Sequence, residues 1–184
     1  MKAKLLALLA VIIICMLAIA YDEWHQSGQS SAPPGEATQH FENAPDVAFT
    51  AQDGKSYDLK TLPEKGIVLH FWASWCAPCA AEMPELIKQI QAARGKLALV
   101  GVSIDERPSA MRKFIAKLNL KNDAHIYWVW DQNKNISLKT FNTISVPETI
   151  LIDRERRMTA KTVGDPGWQA KAQKAQLQKL EETN

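Results

Sequence analysis

The sequence predicts an α/β domain in which helices flank a mixed β-sheet, preceded by an apolar N-terminal membrane segment. Three observations predict it. Two apolar runs of strand length, GIVLHFWA (66–73) and KLALVGVSI (96–104), have the composition of strands covered on both faces. Helical spacings follow each of them: Met83, Leu86, Ile87 and Ile90 share one face, as do Met111, Phe114, Ile115 and Leu118. Alternation of strand and helix implies parallel pairing. The late pattern ETILIDRERRMTAKTV (148–163) reads as two strands joined by a charged turn, which implies antiparallel pairing, so the sheet is expected to be mixed.

The elements are taken from the N-terminus. Residues 1–20, MKAKLLALLAVIIICMLAIA, open with Lys2 and Lys4 and run apolar for 16 residues from Leu5 to Ala20, the pattern of an export segment. Ala18-Ile19-Ala20 has the small-x-small form of a cleavage site. The run is also at the short end of what spans a bilayer. Its lysines would stay inside, with Tyr21, Asp22 and Glu23 outside. The expectation is a retained anchor through residues 5–20, with cleavage after Ala20 as the alternative. Either places the main body outside a bacterial-type cytoplasm. Cys15 is read as one apolar residue among others, because Ile14 lacks the small side chain of a lipoprotein processing site. Residues 21–43 are rich in Gln, Ser, Gly and Pro and read as a flexible linker, with His25 and His40 solvated.

The folded domain is expected over 44–184. Asp53-Gly54 is a turn signal between two half-apolar runs and predicts a hairpin. The strand at 66–73 leads to a helix over Ala80–Arg94 that Gly95 stops and Pro84 should kink. After the strand at 96–104, Ser109 is expected to cap a helix ending at Leu118. HIYWVWD (125–131) is a short strand, Asn135 to Phe141 a helix, Gly164 to Gly167 a loop and Trp168 to Leu180 a terminal helix. Basic and acidic residues number 22 and 20, and Lys2 and Lys4 supply the whole excess, so nothing suggests a nucleic-acid surface. Three cysteines are too few for a disulfide framework.

The chemistry concentrates in FWASWCAPCAAEMP (71–84). A thiol pair that closes and reopens a disulfide needs sulfurs that meet without backbone movement. It also needs one thiol that ionises readily, because thiolate attacks. Cys76-Ala77-Pro78-Cys79 at a helix start supplies both. Residues three apart share a helix face, and the helix N-terminus stabilises the Cys76 thiolate. Pro78 suits a first turn, where an N–H has no partner. Cys76 is therefore read as the nucleophile and Cys79 as the resolving thiol. A structural zinc site needs four ligands, and no second cysteine pair exists. Haem attachment needs His after the second Cys, where Ala80 stands. A peroxidase with a lone activated cysteine is the stronger rival, and the tight pair argues against it.

FWASWCAPC after an apolar strand, EMP at 82–84 and SVPETILID at 145–153 resemble a thioredoxin-fold protein. More narrowly, they resemble the exported TlpA/ResA/DsbE (CcmG) group of thiol–disulfide oxidoreductases, over about residues 44–180. The segment 106–131 matches the extra strand-and-helix material of that group. The resemblance implies a thioredoxin-like mixed sheet with Cys76 and Cys79 as the redox pair. Trp75 would flank the outer sulfur and, with Ala77 and Pro78 between the cysteines, contact the substrate; those two residues also tune the potential. Pro147 would be a cis-proline facing the pair, presenting the Val146 backbone to a substrate segment. Glu82 matches an acidic residue that tunes the thiol pKa or relays a proton, against the alternative of a solvated helix glutamate. His70 departs from the pattern: thioredoxins carry a buried Asp there. It is read as a satisfied core residue rather than a proton shuttle to Cys79.

The function implied is an exported reductase acting in cytochrome c maturation, with a protein disulfide such as apocytochrome c as substrate. A membrane electron donor of the DsbD/CcdA kind would restore the dithiol, and no cofactor or metal is called for. The domain would face the periplasm or extracytoplasmic space from the inner membrane. The alternatives are a general periplasmic disulfide reductase and, in another class, a non-catalytic thioredoxin-fold module that binds haem, metal or protein.

Overall fold

A computed structural model of the chain describes residues 15–17, 21, 42–120 and 124–182. The chain divides into two units, Met1–Gln39 and His40–Asn184. Of the first, only Cys15, Met16, Leu17 and Tyr21 are described, all helical. The expected anchor otherwise lies outside the described residues, as do the cleavage site after Ala20 and nearly all of the linker. Among the described residues no helix is long and apolar enough to cross a membrane.

The second unit is built on a five-stranded mixed sheet. Its strands are β3 (Gly66–Trp72), β4 (Leu97–Ser103), β5 (Ile126–Trp130), β6 (Glu148–Ile152) and β7 (Met158–Val163), in the order β5-β4-β3-β6-β7. β3 pairs parallel with β4 and antiparallel with β6. β1 (Ala48–Thr50) and β2 (Ser56–Asp58) form the separate hairpin that the turn at Asp53-Gly54 predicts. The mixed sheet follows from the connections: helical crossovers between β3, β4 and β5, and a tight turn between β6 and β7.

β3 is central because all of its residues are buried, six of them apolar or glycine and the seventh, His70, bonded to Thr149 through one ring nitrogen. Its alternate residues separate two cores. Val68 and Trp72 pack with Met83, Leu86 and Trp128 on one face, while Ile67, Leu69 and Phe71 pack with Val100, Phe141 and Ile150 on the other. His70 falls by alternation on the Val68–Trp72 face. That face is covered by helix α1 (Ala77–Ala92), whose buried residues include Cys79, Glu82, Met83, Leu86, Ile87 and Ile90.

Several elements differ from the sequence reading. Helix α1 begins at Ala77, three residues before the apolar periodicity, because Cys76 caps it, and it runs on through Pro84. Helix α2 (Pro108–Leu118) is capped by Arg107 without a side-chain bond. Pro108 takes the first helical position, so Ser109 lies inside the helix and is not its cap. Asn135–Thr140 is a π-helical turn rather than an α-helix. Helix α3 spans Lys171–Glu182, and Trp168 precedes it, buried in the core.

Gly101 in mid-β4 is a close approach between layers: a Cβ there would lie 2.7 Å from Trp128 Cζ3 and 3.4 Å from Trp72 Nε1. Gly101→Ala is therefore expected to destabilise the domain by about 1–3 kcal/mol through overpacking. The check is a lower urea midpoint at unchanged m-value.

Candidate active site

The two cysteines sit where β3 gives way to α1. The intervening turn closes with the Cys76 N–H donating to the Ala73 carbonyl at 3.1 Å. Asp105, buried just beyond β4, anchors this turn. Its carboxylate accepts from Ser74 N–H at 3.1 Å, from Ser74 Oγ at 2.8 Å and from Ser103 Oγ at 2.8 Å. Trp130 Nε1 donates to the Asp105 carbonyl at 2.7 Å, tying the same residue to β5.

Cys76 is the N-cap of α1, with extended backbone (φ −82°, ψ 106°). Its Sγ accepts the Cys79 N–H at 3.3 Å, the bond that a capping oxygen makes elsewhere. A thiolate at this atom would receive the same N–H together with the positive end of the helix. Cys76 and Cys79 are joined in a disulfide. Cys76 retains 6% exposure and Cys79 none, so one sulfur is at the rim and the other is sealed. Ala77, Pro78 and Trp75 are exposed around the rim sulfur.

Across from the pair, the Val146–Pro147 peptide bond is cis. The Val146 carbonyl oxygen lies 3.7 Å from Cys76 Sγ, and the Pro147 carbonyl accepts the Gly164 N–H at 2.8 Å. The loop is pinned by Glu148, a buried carboxylate that accepts the Thr143 hydroxyl and lies 3.2 Å from Lys161 Nζ. Lys161 also donates to the Phe141 carbonyl at 3.0 Å, so one cation ties both ends of the loop. Between this loop and the π-helical turn is a cleft of about 210 Å³ bordered by Ile104, Leu138, Ile144 and Val146.

Glu82 lies one turn beyond Cys79. The structure rules out a solvated glutamate here, because the side chain is buried under the 164–170 loop. Trp168 Nε1 donates to its Oε2 at 3.0 Å, and its Oε1 faces His70 Nε2 at 3.6 Å. Burial pushes the Glu82 carboxyl from 4.5 up to about 8; the Trp168 hydrogen bond opposes the shift, and Asp165 adds to it. His70 is wholly buried, and desolvation holds its imidazole down from 6.5 to about 3. Its Nδ1 lies 2.9 Å from Thr149 Oγ1. As a core residue it is satisfied on that side only, since Nε2 has no hydrogen-bond partner.

The structure thus brings Cys76, Cys79, Val146 and Pro147 together at the rim and sets Glu82 with His70 beneath. Sequence reasoning missed Asp105, Glu148, Lys161 and Trp168. Only Glu148 carried a signal, its place immediately after Pro147.

A disulfide in the first helical turn after a central strand, with one cysteine nearly buried at the rim beside a cis-peptide loop and the other fully sealed, defines a thiol–disulfide oxidoreductase on a thioredoxin-like sheet. Comparison with known proteins agrees. The Redoxin family profile matches residues 39–178. The chain is 28% identical over 165 residues to the thiol-disulfide oxidoreductase ResA of a Bacillus cereus strain, covering 89% of this chain and 90% of that one. It is 29% identical over 150 residues to the thioredoxin-like protein YneN of Bacillus subtilis, covering 80% and 84%. The fold matches that of a thiol:disulfide interchange protein DsbE from Chlorobium tepidum with a TM-score of 0.65 at 26% identity, over 77% of this chain and 97% of that one. The chain belongs to the Redoxin family, within the TlpA/ResA/DsbE group of thiol–disulfide oxidoreductases.

The two buried titrating groups give the oxidised domain a pH signature. Glu82 binds its proton more tightly folded (about 8) than unfolded (4.5), so its contribution to stability is lost as pH rises from 4.5 through 8. His70 stays neutral folded (about 3) but protonates unfolded (6.5), so its contribution is lost as pH falls from 6.5 through 3. Urea unfolding of the oxidised protein is expected to show declining stability from pH 6.5 to 8, and Glu82→Gln to remove that decline. A second expectation concerns the turn: Asp105→Ala strands the Ser74 N–H and should cost about 1–3 kcal/mol. It should also slow alkylation of reduced Cys76, measured with iodoacetamide.

Proposed function

We propose that this chain is an exported disulfide reductase serving cytochrome c maturation. On this reading residues 5–20 hold it at the inner (cytoplasmic) membrane, and the domain faces the periplasm or extracytoplasmic space. The observation that carries the reading is the rim sulfur: Cys76 Sγ caps α1 and lies 3.7 Å from the Val146 carbonyl, beside an open cleft. A sulfur so placed is open to a second protein chain, and the adjacent loop backbone offers hydrogen bonds to an extended segment of that chain.

The reaction starts from the dithiol. The Cys76 thiolate attacks one sulfur of the substrate disulfide, and the other substrate sulfur leaves as a thiolate. The mixed disulfide is then resolved when Cys79 loses its proton to Glu82 and attacks Cys76 Sγ. The second substrate sulfur leaves, the Cys76–Cys79 disulfide closes, and two electrons have passed to the substrate. A membrane dithiol donor of the DsbD/CcdA kind returns them by the reverse exchange. In apocytochrome c the product is a pair of free cysteines ready for haem attachment.

Trp75 (66% exposed) and Ile144 (82% exposed) support a protein substrate. Each is within two residues of the Cys76–Val146 contact, so apolar area is presented where a docked segment must lie.

Insulin disulfide reduction is expected to fall to background in Cys76→Ser and in Cys79→Ser. Cys79→Ser alone should accumulate mixed disulfides. Wild-type turnover equal to that of the serine variants would instead indicate a binding module. Trapping with full-length Cys79→Ser in a host making c-type cytochromes is expected to capture apocytochrome c; other exported proteins in its place would mark a general reductase. Ile144→Asp is expected to raise the KM for the protein substrate about tenfold with kcat little changed.

A further inference from the structure

His70 is a buried titratable side chain facing Glu82, and the exchange above gives it no task. It sits on β3, in register with Gly101 of β4 and Thr149 of β6, under α1. Its Nε2 and Glu82 Oε1 face each other at 3.6 Å, and neither atom has a hydrogen-bond partner. Both side chains are sealed from solvent. Two buried polar atoms so placed lack a partner unless one carries a proton toward the other.

The neighbours decide where that proton sits. Trp168 Nε1–H can only donate, so Glu82 Oε2 is the acceptor of that bond. Asp165 also hydrogen-bonds Glu82 and raises its pKa. Oε1 is the carboxyl oxygen left without a partner, so a proton placed there is aimed at the imidazole. Nε2 must then be bare, which makes His70 the Nδ1–H tautomer, its Nδ1–H donating to Thr149 Oγ1 across the 2.9 Å contact. The groups that face Glu82 are His70 from the sheet, itself bonded to Thr149, and Trp168 and Asp165 from the 164–170 loop; Cys79 lies one turn earlier on the same helix.

We propose that His70 is a positioning residue of the exchange, accepting at Nε2 a hydrogen bond from the proton that Glu82 takes from Cys79. This rests on the oxidoreductase reading above and adds one residue to it. During resolution, Cys79–SH and the Glu82 carboxylate become Cys79 thiolate and Glu82–OH, and the new O–H bonds to Nε2. The thiolate displaces the substrate sulfur from Cys76. When the donor thiolate later attacks Cys76, Cys79 leaves as a thiolate and takes the same proton back from Glu82. The O–H···N bond exists only while Glu82 is protonated, so His70 makes Glu82 a stronger base at the moment the base is needed. The charge that burial penalises is never left on the imidazole, which agrees with its depressed pKa.

The test uses ¹⁵N-histidine NMR of the oxidised protein, with Glu82→Gln for comparison. His70 is expected as the Nδ1–H tautomer at neutral pH, with a change at Nε2 as Glu82 titrates that is missing in Glu82→Gln. An Nε2–H tautomer, or no change tied to Glu82, overturns the inference. Insulin turnover supplies the second arm. His70→Leu is expected to slow it at least about tenfold, while the His70→Leu, Glu82→Gln double variant is no slower than Glu82→Gln alone. Additive losses point to a merely structural His70 and also overturn it. The spectrum needs only the native side chain, so failure of His70→Leu to fold leaves the first arm decisive. If wild-type protein reduces no disulfide, the functional reading fails; if it turns over but His70 gives either overturning result, only this inference fails.

Discussion

The contact between the Cys79 N–H and the Cys76 sulfur, at 3.3 Å in the first turn of α1, is the constraint around which the rest of the domain is arranged. It places a sulfur where most helices place a hydroxyl or carboxylate, at the one end of a helix that favours negative charge. Holding it there requires the chain to leave β3, turn within Ala73–Trp75 and enter α1 at a fixed angle. β3 is fixed by ladders on both sides and by full burial, and Asp105 fixes the turn. Loosening any of these would let the cap stray, and with it the stabilisation of the thiolate that drives the exchange.

The opposite wall is held by different means. The cis-peptide loop carries no regular backbone pairing at Val146, so side chains do the holding. Glu148 is buried and Lys161 is exposed, so their ion pair costs desolvation mainly at the carboxylate and is seldom a net source of stability. Its remaining hydrogen bonds, from the Thr143 hydroxyl to Glu148 and from Lys161 to the Phe141 carbonyl, offset that cost and convert it into position. The loop is therefore held to the sheet from which it emerges, and the carbonyl facing Cys76 is set by β6 and β7 rather than by the helix it opposes.

Much of the scaffold and the thiol pair were legible in the sequence, and the reason is local. β3 and β4 declare themselves by unbroken apolar runs, α1 by its spacing, and the cysteines by their separation and the proline between them. What was not legible depends on contacts remote in sequence. Asp105 holds Ser74, Trp168 reaches Glu82, and Lys161 meets Glu148, none of which any residue pattern encodes. Ser109 was misread because a good capping residue next to a proline gives way when the proline takes the first helical position. A solvated Glu82 was a fair alternative because α1 alone does not reveal that the loop before α3 folds over it. The π-helical geometry at Asn135–Thr140 follows from the Asp131 carboxylate, which accepts the Ile136 and Ser137 N–H groups and draws the turn inward.

These two kinds of positioning divide the chemistry by depth. At the rim, charge is welcome: Cys76 is capped by an N–H, lies at a positive helix end and keeps some contact with water. One turn deeper, charge is penalised, so a proton leaving Cys79 is best received by a group that is neutral once it holds it. A carboxylate becomes a neutral acid, whereas an imidazole becomes a cation. That ordering assigns the proton to Glu82 rather than His70, and it leaves the histidine the one part for which burial suits it, that of a neutral acceptor. On the proposed reading the base sits on α1, one turn from the thiol it serves, and the strand position holds the far side of its proton.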